Sequence, residues 1–154
     1  MLRMSRLTDY AIVMMTYLAT EPERVRSAHE VADGAHLRPP TVSKLLRLLT
    51  REGLLTSHRG VKGGYGLARD PDDITVAAII RAIEGPIALT DCGIQTKGCE
   101  HEVLCSVRGH WQRINLAVRD ALESITLSDM ASPSPLTWMT ASAGRFAERT
   151  EKRH

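Results

Sequence analysis

The sequence predicts a mainly α-helical fold that carries one small β-hairpin. Apolar residues recur every three or four positions in several separate stretches of the 154-residue chain, and four of its eleven glycines fall between residues 60 and 66, between short strand-like runs. A chain of this length fits a single domain. Its hydrophobic content of 43% is enough for a core, which must be aliphatic because aromatic residues make up only 4%.

The first two predicted helices are delimited by residues that start and stop helices. Apolar residues at helical spacing predict the first helix over about 6–20, and Glu21-Pro22-Glu23 ends it. Ser27 and Glu30 have the spacing of a capping box, in which each side chain bonds a backbone amide beside the other residue. This box predicts a short second helix to about Asp33, broken by Gly34.

The third predicted helix, over about 39–52, has an apolar side and a basic side. Pro39-Pro40 suits a first helical turn, and Gly53 suits a helix end. At about 100° per residue, four aliphatic residues fall opposite three cations: Val42, Leu45, Leu46 and Leu49 against Lys44, Arg47 and Arg51. Such a helix can rest on a core and face phosphates, and a solvated surface helix has the same pattern.

The glycine-rich stretch Leu54–Leu67 predicts a hairpin whose tip carries Arg59 and Lys62. A phosphate-cradling loop is the alternative, but no helix start follows the glycines. Two helices joined by a tight turn and followed by this hairpin form a winged helix-turn-helix pattern. Residues 1–70 hold eleven Lys/Arg and seven Asp/Glu, a net +4, whereas residues 71–154 hold nine and eleven, a net −2. The front half therefore suits a polyanionic partner.

The pattern after the wing predicts a linker helix and then a long helix. Asp73 or Thr75 can cap the linker helix, and Gly85-Pro86 ends it. Apolar residues at three- and four-residue spacing over 103–125 predict a long helix that forms a dimer contact or packs on its own domain. We therefore divide the chain into a DNA-binding domain (1–70), a linker helix with a cysteine loop (71–105), a dimerisation helix (106–128) and a disordered tail (129–154).

The three cysteines of the chain lie within fourteen residues, as Cys92, Cys99 and Cys105, with the spacing C-x6-C-x5-C. Crowded thiolates suit an iron–sulfur cluster or zinc, and an odd number cannot all form disulfides. A structural zinc site with His101 or His110 as fourth ligand is an alternative, although such sites prefer gaps of two to four residues. Three unrelated free thiols are the other alternative.

Two further classes of protein are disfavoured by the sequence. No nucleophile–base–orienter set and no glycine-rich cofactor turn is visible, so we do not expect an enzyme or a small-molecule substrate. The apolar run over 11–19 is shorter than the roughly 18 residues of a membrane span and precedes no cleavage site of the A-x-A type. We expect a cytoplasmic protein, because thiols stay reduced there.

Three motifs in order resemble the IscR–NsrR family of bacterial winged-helix iron–sulfur regulators, over roughly residues 2–128. They are Arg6-Leu-Thr-Asp-Tyr-Ala11, the wing Arg59-Gly-Val-Lys-Gly-Gly-Tyr-Gly-Leu67, and the cysteine triplet leading to Trp111. Within the family the chain looks most like the repressors of SUF-type iron–sulfur assembly genes. The alternatives are a nitric-oxide or redox-sensing repressor of the same family, and a structural-zinc or cluster-free DNA-binding regulator.

The resemblance implies a homodimer on a double-stranded DNA operator, with one [2Fe-2S] or [4Fe-4S] cluster held by each cysteine loop. It implies that four residues of the third helix lie near bases or phosphates: Thr41, Ser43, Lys44 and Arg47. Arg59 would be the wing contact, with Lys62 beside it. The cysteines Cys92, Cys99 and Cys105 would hold the cluster.

The fourth cluster ligand is where this chain departs from part of the family. The IscR branch places a histidine three residues after the third cysteine, and Arg108 occupies that position here. The nitric-oxide-sensing branch uses an aspartate of the first helix, donated by the partner subunit, and Asp9 stands at the matching place. Asp9 is thus the expected ligand, with His101, His110, or an exogenous thiol or water as alternatives.

Overall fold

The computed structural model describes residues 4–90 and 105–132. The order is three helices, a hairpin, a 3-10 turn and three further helices: α1 Arg6–Ala19, α2 Ala28–Gly34, α3 Pro39–Arg51, β1 Leu55–His58, β2 Gly64–Leu67, the turn Pro71–Asp73, α4 Val76–Glu84, α5 Arg108–Glu123 and α6 Leu127–Ala131. The strands are antiparallel, with Leu55 opposite Leu67 and His58 opposite Gly64. The predicted mainly helical winged fold is confirmed.

The helix starts follow the local signals of the sequence. At α2, both hydrogen bonds of the Ser27–Glu30 capping box are present, and α3 begins with its two prolines. Thr75, not Asp73, caps α4, because its hydroxyl accepts from the Ala78 amide at 3.1 Å. None of the helices in residues 4–90 and 105–132 is long and apolar enough to cross a membrane.

A single aliphatic core lies between α1, α3 and α4. Most of its fully buried members come from one face of each of these helices and from the segment before α4, and α2 and α6 add one each: Ala11, Met14, Met15, Val31, Val42, Leu45, Leu46, Leu49, Ile74, Ile79 and Leu127. Tyr10 and Tyr65 pack at its margin as partly buried aromatic residues. Since these helices meet through their apolar stripes, the opposite face of α3 stays at the surface.

The C-terminal part differs from the predicted continuous helix to residue 128 followed by a disordered tail. Helix α5 ends at Glu123, and the chain then pairs with the strand-like entry to α4: the Val76 amide donates to the Ile125 carbonyl at 2.9 Å, and the Leu127 amide donates to the Ile74 carbonyl at 2.7 Å. A capping box, Thr126 with Asp129, starts α6. Residues 129–131 are therefore helical, and residues 133–154 lie outside the described part.

The reason for α6 is burial of an apolar side chain. Leu127 is fully buried in the core, and α6 packs on α1. A fully buried leucine stabilises a fold by roughly 1.5–3 kcal/mol, which favours ending α5 and turning the chain back. The spacing Thr126-Leu-Ser-Asp129 fits a capping box, whereas the prediction divides this stretch between the dimerisation helix (106–128) and the tail (129–154).

Candidate nucleic-acid interface and cysteine segment

The basic side of α3 is exposed because the opposite side is buried. Its aliphatic residues, Val42, Leu45, Leu46 and Leu49, are fully buried, whereas Lys44, Arg47 and Arg51 are exposed. Arg51 pairs with Glu52 at 3.1 Å. No ion pair within residues 4–90 and 105–132 involves Lys44 or Arg47. Two of the three predicted cations thus keep their charge available for an anionic partner.

The first turn of α3 presents side chains and not free amides. Pro39 and Pro40 have no N–H, and the Thr41 amide donates to the Arg38 carbonyl at 3.0 Å. A helix start without unsatisfied amides can enter a groove without a desolvation penalty for the backbone. Thr41 and Ser43 are half-buried, and their hydroxyls lie on the first turns of this helix.

The wing tip is an exposed turn that carries two cations. Gly60 has φ 112°, which a residue with a side chain rarely adopts, and the Gly63 amide donates to the Gly60 carbonyl at 2.9 Å. Arg59 and Lys62 are exposed on either side of Val61, which is also exposed. Among the described residues, neither cation takes part in an ion pair.

The turn between α2 and α3 is built differently from the prediction. The predicted break is at Gly34, but the residue with positive φ is His36, at 54°. Gly34 is required for another reason: a Cβ added there would overlap the ring of Tyr17 in α1. The Leu37 amide closes the turn by donating to the Ala32 carbonyl at 3.0 Å.

Two of the predicted cluster ligands can be placed in the structure. Cys105 is half-buried just before α5, and Asp9 is exposed in the first turn of α1, without an ion pair in the described part of the chain. Cys92, Cys99 and His101 lie outside the described residues, and His110 is exposed on α5. No group of three or more metal-binding side chains occurs within residues 4–90 and 105–132. The ligand set therefore stays a prediction.

The end of α4, where the chain approaches the cysteine segment, is bonded to the start of α1. The Ser5 amide donates to Glu84 Oε1 at 3.0 Å, and the Thr8 hydroxyl donates to the same oxygen. Ser5 caps α1 by accepting from the Thr8 amide at 3.2 Å. Because α1 has Thr8 where a capping box has an acid, Glu84 of another helix takes that role. The Thr8 hydroxyl, followed by the Ser5 amide, lowers the pKa of Glu84.

A second hydrogen bond attaches the segment that follows α4 to α5. The Leu89 amide donates to Asn115 Oδ1 at 2.8 Å, and Asn115, 3% exposed, is the buried residue of α5. Arg81 and Glu123 add an exposed ion pair between α4 and α5 at 3.3 Å. The chain on the N-terminal side of the cysteine segment is thus attached both to the turn that carries Asp9 and to α5. These contacts were not predicted from the sequence.

Comparisons with known proteins agree with this architecture. The structure of CymR (YrzC), the global cysteine regulator of B. subtilis, shares 32% sequence identity and a TM-score of 0.66, over 87% of this chain and 99% of that chain. IscR of T. potens shares 32% identity and a TM-score of 0.64, over 84% and 85%. NsrR of Shouchella clausii is 26% identical over 131 residues, 84% of this chain and 88% of the relative.

The match of this chain to a protein family gives the strongest assignment of its class. Residues 4–133 match the Rrf2 family, described as "Iron-dependent Transcriptional regulator". CymR and NsrR are HTH-type transcriptional regulators, so the predicted absence of enzymatic activity agrees with these relatives. Because the match includes every residue that the structure describes, the chain belongs to the Rrf2 family of transcriptional regulators.

Proposed function

We propose that this regulator is a homodimeric, cytoplasmic repressor that binds an operator in double-stranded DNA and senses an iron–sulfur cluster, with iron–sulfur assembly genes as its targets. The observation that carries the proposal is the cysteine triplet between α4 and α5, preceded by a chain segment bonded to both α1 and α5. The family description names iron, and the chain shares 32% identity with an IscR.

The proposed DNA contacts are of two kinds: contacts that position the protein on the phosphate backbone, and contacts that read the base sequence. Lys44, Arg47, Arg59 and Lys62 are exposed cations, suited to phosphates and to a salt-sensitive, sequence-independent part of the affinity. Thr41 and Ser43 are the hydroxyls on the first turns of α3, suited to base edges in the major groove. The wing would reach toward the adjacent minor groove.

The proposed dimer contact is the apolar face of α5. Val107, Trp111 and Ile114 share one side at helical spacing and are 49%, 38% and 44% exposed. Exposed apolar stripes on small proteins mark protein contacts, and a two-fold dimer can bury the same stripe of both subunits. We expect Ile114→Glu to shift the protein toward monomer in sedimentation velocity, and Gln112→Glu on the same helix to leave the mass unchanged. A dimer that survives Ile114→Glu places the interface elsewhere.

The proposed cluster ligands are Cys92, Cys99, Cys105 and Asp9 of the partner subunit. Their chemistry fits the group, because three soft thiolates suit iron–sulfur ligation and the exposed Asp9 carboxylate is available. A bound cluster would make the protein responsive to iron supply, oxidants and nitric oxide. Asp9 would be the hard, easily displaced ligand of the set.

The described contacts give this sensor a route to DNA. Glu84, at the end of α4 on the N-terminal side of the cysteines, is bonded to the first turn of α1. Helix α1 in turn packs against α3 in the core. Asn115 bonds Leu89, which follows α4, to α5, the proposed dimer helix. A change in the residues that hold iron can therefore alter the spacing of the two α3 helices in a dimer, and with it the affinity for an operator of fixed half-site spacing.

The decisive experiment is anaerobic purification with iron, sulfide and visible absorption measured on the wild type and on each cysteine-to-serine variant. We expect bound iron and sulfide with charge-transfer absorption, lost in Cys99→Ser. Asp9→Ala should retain less cluster or lose it faster in air, and Glu23→Ala, another exposed acid, is the matched control. Protein without iron and sulfide after anaerobic reconstitution refutes the cluster.

A cluster-free regulator is the second candidate, favoured by the likeness to the cysteine regulator CymR. It would bind DNA with the same surface and use the thiols otherwise or not at all. Selection of 30-base-pair duplexes from a random DNA library, followed by gel shifts at several salt concentrations, tests DNA binding independently of iron. Bound zinc with no sulfide would instead support the structural-zinc alternative.

A further inference from the structure

Arg26 is a buried cation between α1 and the wing. Its side chain is 2% exposed, and arginine is almost never buried without partners. One terminal nitrogen pairs with Glu21 Oε2 at 2.6 Å, and the other donates to the carbonyls of Leu18 and Glu21 at 3.4 Å each. The guanidinium also stacks over the ring of Tyr17, 4.9 Å from its centroid. It thus supplies the positive charge that the last turn of α1 lacks.

The backbone of Arg26 is part of the wing. Its amide donates to the Tyr65 carbonyl at 2.9 Å, and the Tyr65 amide donates back to the Arg26 carbonyl at 2.8 Å. This isolated antiparallel bridge gives β2 a second partner, on the edge opposite β1. Gly64 permits the approach, since a Cβ there would overlap the Arg26 carbonyl. The next residue, Ser27, is the N-cap of α2.

The wing is therefore held from two sides. On one side, β1 follows α3 directly, and the Leu54 amide donates to the Leu49 carbonyl at 2.9 Å. On the other side, β2 is attached through Arg26 to the end of α1. If the side chain of Arg26 loses its anchorage, the bridge at Tyr65 loses its fixed support, and the tip that carries Arg59 can shift relative to α3.

We infer that Arg26 is a positioning residue for DNA binding, which sets where the wing tip lies relative to the α3 surface while touching no DNA itself. The inference rests on the wing contact in the proposed function, because only a wing that meets DNA makes its position matter. A side chain this buried cannot neutralise a phosphate. Any effect of Arg26 on the number of phosphate contacts must therefore pass through other residues.

The test is a double-mutant cycle on a 30-base-pair duplex that the wild-type protein selects from a random library. Arg26→Met removes the charge at similar size, and binding is measured by fluorescence anisotropy over a series of KCl concentrations, counting only folded protein by circular dichroism. We expect a several-fold weaker affinity and a salt slope smaller by about one contact, roughly 0.9 in log–log units. In the Arg59→Ala background the loss should shrink to less than about twofold, and in the Lys44→Ala background it should stay complete.

Milder variants keep the inference testable if Arg26→Met does not fold. Glu21→Gln removes only the half-exposed partner of Arg26 and should weaken binding in the same wing-dependent way, by a smaller factor. Glu21 also pairs with Arg24 at 2.9 Å, so Arg24→Ala is the matched control and should leave binding unchanged.

The outcomes separate the inference from the function on which it rests. If Arg59→Ala does not weaken binding, the proposed wing contact is wrong. If Arg59→Ala weakens binding but Arg26→Met and Glu21→Gln do not, or if their losses add fully to that of Arg59→Ala, Arg26 does not position the wing. Equal coupling to Arg59 and Lys44 would mean a general loss of structure.

Discussion

Gly34→Ala should destabilise the protein although alanine favours helices more than glycine does. Gly34 is the last residue of α2, and a Cβ there would overlap the Cζ, Cε2 and hydroxyl of Tyr17. Helix propensity alone would favour alanine by up to about 1 kcal/mol. The ring therefore has to move, and it also carries the stacked guanidinium of Arg26.

The expected net effect follows from three contributions. Overpacking typically costs about 1–3 kcal/mol, and a weakened cation–π contact adds roughly 0.5–2 kcal/mol. Subtracting the gain in propensity of about 1 kcal/mol leaves a loss of about 0.5–4 kcal/mol in the free energy of unfolding. For a chain of this length, that lowers the Tm by roughly 1–16 °C.

Thermal and urea unfolding at one fixed protein concentration measures the effect. Gly109→Ala in α5 is the matched control, because an added Cβ meets no atom within 4 Å there, and it should be neutral or stabilising. Tyr17→Ala should partly rescue Gly34→Ala, since it removes the clashing ring. The reasoning is refuted if Gly34→Ala is as stable as the wild type, or if the losses of Gly34→Ala and Tyr17→Ala simply add.

Three further predictions concern α6, the α1–α4 bond and the α3 surface. Leu127→Ala should lower the free energy of unfolding by about 2–5 kcal/mol in urea titrations, whereas Met130→Ala on the exposed side of the same helix should change it little; equal effects would contradict the packing of α6. Glu84→Gln should cost about 1 kcal/mol at pH 7. The pKa of Glu84 in the folded protein lies below its usual value of 4.5, so the stability difference between Glu84→Gln and the wild type should be complete above pH 4.5. It should fade as the pH falls through the folded pKa. A stability difference that does not depend on pH would count against this bond. Lys44→Ala should reduce the salt slope of DNA binding by about 0.9. Arg51→Ala should reduce it by less, because the Arg51 cation is already paired with Glu52. An unchanged slope in Lys44→Ala would mean that Lys44 contacts no phosphate.

The parts of the fold that depend only on residues close together in the sequence were predictable from it. The capping box at Ser27, the paired prolines of α3 and the glycines of the wing act within a few residues, so one sequence is enough to identify them. The exposure of Lys44 and Arg47 also followed from helical geometry alone. Each of these features has the same physical cause in any chain.

The contacts that organise the site join residues distant in sequence, and composition carries no signal for them. Glu84 bonds residues 76 and 79 positions away, and the burial of Arg26 depends on where α1 ends and how the wing folds back. His36 has a positive φ because the turn needs one there, while the glycine two residues earlier is used for packing. The cluster ligands stay predictions, because two of the three cysteines lie outside the described residues.

The hydrogen bonds between residues 74–76 and 125–127 make everything between them an insertion with fixed ends. The end of this insertion is anchored on the core by Leu127, and its first helix, α4, is anchored there by Ile79, so the part that can change in length is the chain between α4 and α5. Doubling the length of a flexible loop costs only about 0.6 kcal/mol in closure entropy. Evolution can therefore change the length and the side chains of the segment between α4 and α5 while the core of α1, α3 and α4 keeps its packing. One scaffold can in this way host regulators that respond to different chemical signals.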